Sequence, residues 1–389
     1  MVNKFKIVEE GLSKVKVPVH EKVSKEMVVF YNPVMVLNRD LSTLVLRAVC
    51  ELNNKNDLQI ALPLAGSGIR ACRFIQELPK QIRFLSINDY SKDACKLIKE
   101  NLKKNKTKEN KKIKITISNN EASKFLLDGL GFDYIDVDPF GTPNPFLDAS
   151  IKRISREGIL AVTATDTSAL SGTYELAGKR KYWGSPMRNS QMHEVGLRLL
   201  IRKVQLLGAQ YEKALIPVYS LSEDHYMKIF FLCKKGKKEV DNLLKLHKYF
   251  HYCDSCLSSF SSEYNKEECV VCKFEKEKKK NKETRVAGPV FVGKLFDEKL
   301  ANKISELAEK LDFIDKKTKR ITAIIAEEAK FKGLGFFRLN DIAKKFKITN
   351  VKKELLKKKG FFPTHLEPNA IKCASISLLV PKFAKKNKK

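Results

Sequence analysis

The chain has 389 residues, 43% of them hydrophobic, enough to bury a sizeable core and to fill two domains. Seventy-five Lys and Arg against 45 Asp and Glu leave a net charge of +30, which points to a polyanionic partner, although much of the excess is lysine scattered along the whole chain. No apolar run reaches membrane-spanning length and the charged start lacks a signal-peptide core, so the expectation is a soluble cytoplasmic protein with no membrane contact and no implied protein partner.

The first informative stretch is Ile60-Ala61-Leu62-Pro63-Leu64-Ala65-Gly66-Ser67-Gly68-Ile69-Arg70, which reads as a strand, a glycine turn and the start of a helix carrying Ile69, Cys72, Phe74 and Ile75. Glycines let the backbone approach a ligand closely, and the helix start presents unpaired N–H groups. Alone, Gly66 and Gly68 with Ala71 also fit a dehydrogenase. The next strand, 82–88, ends in Asp89, 21 residues after Gly68, where an acid can grip a ribose diol. Asp89 can equally cap the helix expected over 91–101, and the two roles are compatible.

Strand signals follow at 113–117, 134–137, 158–165, 211–219 and 226–233, with helices between them at 122–127, 146–154 and 191–207. Such alternation predicts a parallel α/β sheet with its ligand at the carboxyl ends of the strands. Residues 220–225 are too few for a helical crossover, so the last two strands should pair antiparallel. The run Tyr134-Ile135-Asp136-Val137 leads into Asp138-Pro139-Phe140-Gly141. A carboxylate at a strand tip, a rigid proline and an aromatic ring offer a flat polar heterocycle an acceptor, a fixed backbone edge and a stacking face. An ordinary Asp-Pro turn is the plainer reading of those four residues taken in isolation.

Four of the nine cysteines form two pairs, Cys253-x2-Cys256 and Cys269-x2-Cys272, with twelve residues between them. Two such knuckles complete a closed zinc tetrahedron, which implies a folding role rather than chemistry. Residues 273–285 are almost all charged and read as a linker. After a short strand at 288–293 the chain turns helical and basic. Helices expected at 340–346 and 350–359, followed by the strand-like Phe361-Phe362-Pro363-Thr364, look like a winged-helix unit, with Lys352, Lys353, Lys357, Lys358 and Lys359 on its second helix available to phosphates.

Five blocks together resemble one family, the archaeal-type tRNA guanine-26 N2-dimethyltransferases. They are Phe30 through Asp40 (FYNPVMVLNRD), Gly66 through Phe74, Asp138 through Gly141, Val162 through Asp166 (VTATD), and His193-Glu194-Val195-Gly196 with Asp224-His225-Tyr226. The resemblance implies the α/β class I methyltransferase fold, a doubly wound sheet closing with one antiparallel strand. It also implies a catalytic domain over 1–295, within which the cysteine spacing alone argues for the zinc-knuckle insertion at about 250–275, and a smaller α+β, winged-helix-like tRNA-binding domain over 296–389. It places S-adenosylmethionine on Arg39, Gly66, Gly68, Arg70, Asp89 and the adenine-side pair Glu121-Ala122, and catalysis on Asp138, Pro139 and Phe140. The sequence departs from the family where Leu62-Pro63 replaces the usual acid before the glycine turn and where Glu121 replaces an Asp. Only some members carry the four cysteines.

The chemistry suits the residues. An exocyclic guanine amine is a poor nucleophile because its lone pair is delocalised, so an ionised Asp138 that accepts an amine hydrogen would orient the nitrogen and help remove the proton. The Pro139 carbonyl offers a second acceptor and Phe140 a stacking surface. His193 and His225 are candidates for RNA contact or for ordinary structural roles. Other readings are an adenine N6 or different guanine N2 RNA methyltransferase, a nicotinamide dehydrogenase, and a non-catalytic zinc RNA-binding protein. The last two leave Asp138 to Gly141 without a purpose.

Overall fold

The computed structural model describes residues 5–19, 27, 29–266, 268–270, 272, 284–347 and 360–374. It opens with a hairpin that the charged start did not announce, β1 (Phe5–Glu10) paired antiparallel with β2 (Ser13–Pro18). β2 buries Val15 and Val17, but among the described residues no strand lies beside its outer backbone. Two asparagine amides take that place. Asn101 exchanges hydrogen bonds with the backbone of Lys16 at 2.8 and 2.9 Å, and Asn105 does the same with Lys14 at 3.1 and 2.9 Å.

The centre is a seven-stranded sheet of β3 (Leu58–Leu62), β4 (Ile82–Asn88), β5 (Lys114–Ser118), β6 (Phe132–Val137), β7 (Ile154–Ala164), β8 (Lys213–Glu223) and β9 (Tyr226–Lys235). Its order is β5-β4-β3-β6-β7-β9-β8, parallel except for β9, which runs against both neighbours. The doubly wound sheet and its antiparallel closing pair are therefore as expected. β8 starts two residues later than expected because the chain turns through Glu212 at φ 54°. The β8–β9 connection is a two-residue turn, with Asp224 left-handed at φ 44°. The central strands read as near-continuous apolar runs because both faces are covered; Ile60, Ala61, Tyr134, Ile135, Leu160 and Val162 are all buried.

After β9 come β10 (His247–Tyr252), β11 (Ser259–Ser262) and β12 (Arg285–Phe291), a small antiparallel sheet in the order β11-β10-β12 beside the cysteine pairs. Helices Glu298–Lys310 and Lys316–Glu328 follow, each capped by an aspartate, Asp297 and Asp315. They pack on helix Val36–Asn53, whose Asp40 accepts from Thr318 Oγ1 and the Asp315 amide. β13 (Phe337–Arg338), β14 (Phe362–Pro363) and β15 (Ala370–Lys372) form the last sheet, with helix Leu339–Phe346 beside it. That agrees with the first helix and wing strand of the expected unit, while its second helix and the five lysines at 352–359 lie outside the described residues. One continuous core runs from Val15 of β2 to Cys373, with the four paired cysteines, and separately Val29, Ala94 and Leu97, forming smaller clusters outside it.

Candidate active site and metal centre

Strand order reverses between β3 and β6, which opens a crevice at the carboxyl ends of these two strands. Beyond β3 the chain makes the glycine turn, with Gly66 at φ 53° and Gly68 at φ 77°. A Cβ at Gly66 would lie 2.8 Å from the Phe30 carbonyl oxygen, so the block containing Phe30 and the turn can meet only through glycine. The Ser67 amide then donates to that carbonyl at 3.0 Å. Asp89, beyond β4, accepts from the Gly66 amide at 2.7 Å and the Ser91 amide at 2.9 Å. Burial pushes its carboxyl up, and these backbone donors oppose the rise. Asp89 is not the cap of the next helix: Ser91 is, accepting from Ala94 N. Beyond β5, Glu121 caps helix Ala122–Asp128 by accepting from the Ser123 and Lys124 amides at 2.9 and 2.8 Å, with Ala122 buried beside it. The longer acid thus folds back onto its own helix start.

Phe30, Tyr31, Gly66, Ser67, Arg70 and Asp138 line a recess at this edge. Asp138 follows directly on β6 and its side chain is 17% exposed, ion-paired to one end of the Arg70 guanidinium. The same guanidinium reaches Asn38 Oδ1 at 2.9 Å and Asp136 Oδ2 at 3.2 Å. Pro139 is buried, whereas Phe140 is 38% exposed and meets the Phe30 ring edge-on, centroids 4.4 Å apart. Gly141 is fixed by Thr165, whose hydroxyl accepts from the Gly141 amide at 2.6 Å. Ser67 Oγ, buried at the recess wall, has no hydrogen-bond partner among the described residues, so the wall offers a polar group to a ligand. The positive-φ turn, the partly exposed carboxylate and this hydroxyl fit a small, polar, nucleoside-bearing cofactor.

Asp136 and Lys228, which the sequence reading passed over, lie beneath the recess. Lys228 Nζ reaches Asp136 Oδ1 at 2.9 Å, and Asp136 Oδ2 also accepts from Tyr134 Oη at 2.6 Å and Ser42 Oγ at 2.8 Å. Burial alone would raise the Asp136 carboxyl, but Arg70 and Lys228 outweigh it and hold it down to about 2. Burial lowers Lys228, with Asp136 opposing. The available signal was an acid and a lysine inside otherwise apolar strand runs, where a charge is tolerated only in company.

Arg39 lines the recess but its nitrogens point inward. They bind both Glu10 carboxylate oxygens at 2.6 Å and the Asn32 carbonyl at 3.1 Å. Its sequence neighbour Asp40 is held instead by Arg73, which also binds Glu77 at 2.7 Å and Glu10 at 3.2 Å. Burial would raise Glu10, yet Arg39 and Arg73 together draw it below its usual range. Of the two histidines, His193 is partly buried 3.5 Å from Ser222 Oγ and lowered by burial, and His225 is exposed in the β8–β9 turn.

Cys253, Cys256, Cys269 and Cys272 come together, buried, with all four sulfurs within 4.8 Å of one another. Cys253 and Cys272 sulfurs are 3.8 Å apart, and those of Cys256 and Cys269 3.4 Å. A tetrahedral ion with Zn–S bonds of about 2.3 Å needs edges of about 3.8 Å, so this set could hold a structural zinc ion and leaves no position open for substrate.

The family described as N2,N2-dimethylguanosine tRNA methyltransferase matches residues 11–382. The chain is 41% identical over 350 residues to the tRNA (guanine(26)-N(2)/guanine(27)-N(2))-dimethyltransferase of Aquifex aeolicus, covering 88% of this chain and 86% of that protein. It is 36% identical to the tRNA (guanine(26)-N(2))-dimethyltransferase of Methanobrevibacter smithii, covering 95% and 94%. The solved structure of Trm1 from Pyrococcus horikoshii in complex with S-adenosyl-L-methionine superposes with a TM-score of 0.80 at 28% identity, over 97% of this chain and 99% of that one. With the family matched over residues 11–382 and relatives similar over nearly the full length of both chains, the chain belongs to the N2,N2-dimethylguanosine tRNA methyltransferase family.

Proposed function

We propose that this protein dimethylates the exocyclic N2 amine of guanine-26 in tRNA, using S-adenosylmethionine, with Asp138 as the group that accepts the amine hydrogen. The observation that carries this reading is the position of Asp138 at the switch point of the sheet. It is partly exposed, steadied by Arg70, and lies between the glycine turn and the exposed Phe140.

Gly66 and Gly68, Asp89, and the Glu121-Ala122 pair are the residues we assign to hold the cofactor, with Arg39 and Arg70 on the carboxylate side. Both arginines line the recess already paired, so they contribute as shared cations, and the Ser67 hydroxyl, unpartnered among the described residues, supplies a hydrogen-bonding group at the wall. S-adenosylmethionine supplies a methyl group activated by its sulfonium. Asp138 accepts one N2 hydrogen, which turns the nitrogen lone pair out of conjugation and takes up the proton as the N–C bond forms. The Pro139 carbonyl accepts the second hydrogen in the first round. In the second round only one N–H remains, and Asp138 alone serves it. Phe140, with Phe30 against its edge, provides the face on which the base lies.

A base in folded tRNA must first be extruded, at roughly a few kcal/mol, recovered through stacking and phosphate contacts. The net charge of +30 serves those contacts, and we assign residues 296–389 to tRNA binding. A tRNA substrate supports a cytoplasmic location for the reaction. A second reading has one observation behind it: the 41% identical Aquifex relative is named for both guanine-26 and guanine-27.

The experiment is a mass-spectrometric nucleoside digest of tRNA incubated with the protein and labelled S-adenosylmethionine, followed by fragment mapping. N2,N2-dimethylguanosine at position 26 is expected, and label at position 27 as well would favour the second reading. Label on adenine, on another guanine atom, or on no nucleoside would overturn the assignment.

A further inference from the structure

Asp136 and Lys228 have no part in the chemistry above, yet both are fully buried, an arrangement a sheet core tolerates only with complete compensation. Lys228 on β9 stands opposite Thr163 of β7, reaches its hydroxyl at 3.3 Å, and continues to Asp136 on β6. Arg70 binds Asp136 with one nitrogen and Asp138 with another. Lysine, aspartate, arginine and aspartate thus alternate along a single line that runs from the sheet interior to the recess.

Asn38 and Ser42 from helix Val36–Asn53, and Tyr134 from β6, satisfy the remaining hydrogen bonds of this line. The other titratable groups that face it are the Arg39–Glu10 pair and Tyr226 at the start of β9, whose buried hydroxyl feels the Asp138 charge. Without Lys228, two carboxylates would share one guanidinium. Asp136, shut away from water, would keep it, and the more exposed Asp138 would lose counter-charge.

We propose that Lys228 is a positioning residue: by neutralising Asp136 it frees one edge of Arg70 for Asp138 and so preserves the counter-charge beside the amine-accepting carboxylate. This rests on the reading of Asp138 given above. The test uses the full chain with Lys228→Met, Asp136→Asn and the double variant. Two readouts are taken: the carboxyl carbon-13 NMR titration of Asp138, identified by its loss in Asp138→Asn, and the pH profile of methyl transfer to tRNA. Lys228→Met should move both the titration and the acid limb upward by about one pH unit or more. Asp136→Asn should move them downward, and the double variant, with charge rebalanced, should return close to the parent.

If Lys228→Met does not fold, the downward shift in Asp136→Asn and its reversal in the double variant carry the test. Coincident titrations in all the folded variants would overturn the inference. A parent protein that leaves tRNA unmethylated while its variants show these carboxyl shifts would instead remove the functional reading and leave the charge line standing.

Discussion

At the scale of single residues, Asp138 was legible because a carboxylate, a proline and an aromatic ring in sequence advertise a site locally. Glu10, Arg39, Asp136 and Lys228 were not. Each is a buried charge whose partner lies tens of residues away, and only the folded sheet brings Glu10 to Arg39 or Lys228 to Asp136. Arg39 in particular looked like a free cation for a cofactor carboxylate, and the hairpin that delivers Glu10 gave no such notice. Asp89 differs again. Both of its oxygens accept backbone amides, one from the glycine turn itself, so Asp89→Ala should loosen that turn as well as remove the proposed ribose contact. Calorimetry should show S-adenosylmethionine binding weakened roughly tenfold or more. Unchanged affinity would mean that the ribose lies elsewhere.

At the scale of elements, the alternation of strands and helices gave the sheet, and the shortness of residues 220–225 gave its antiparallel closure, because both are local features of pattern and length. The β1–β2 hairpin was hidden because side-chain amides, not a neighbouring strand, hold its outer edge. β10 and β11 were hidden for another reason. They are short and rich in polar residues: β10 buries Phe250, His251 and Tyr252, while β11 is half-buried throughout and packs Phe260 against the cysteine cluster. Elemental analysis should therefore find one zinc per chain, and chelation should lower the melting temperature by several degrees or more. A metal-free sample that melts at the same temperature would show that the cluster stands without an ion.

At the scale of the whole molecule, the C-terminal sheet is fastened to the sheet-packing helix Met192–Ala209 through buried acids. Glu194 binds Lys372 at 2.7 Å and Arg198 at 2.8 Å, while Glu328 binds His365 at 2.7 Å and Lys372 at 3.3 Å. Burial would raise both carboxyls, but for Glu194 the Lys372 and Arg198 charges, and for Glu328 those of His365 and Lys372, hold them at about 2. Folded-state values below the unfolded ones stabilise fully above about 4.5, and this contribution is lost as pH falls through about 2. Melting temperature should drop across that window by an amount worth a few kcal/mol, less steeply in Glu194→Gln; parallel curves for parent and variant would contradict this. The basic surface makes a separate prediction. Affinity for tRNA should fall tenfold or more between 50 and 200 mM salt, roughly the loss that several phosphate contacts produce, and a flat profile would mean that the +30 is not spent on phosphates. The arrangement proposed above is a carboxylate presented beside a cofactor turn to an extruded guanine. Asp138→Ala tests it most directly, by S-adenosylmethionine calorimetry and single-turnover methyl transfer on the same preparation. The account predicts near-parental cofactor affinity with transfer reduced a hundredfold or more, and near-parental transfer would contradict it.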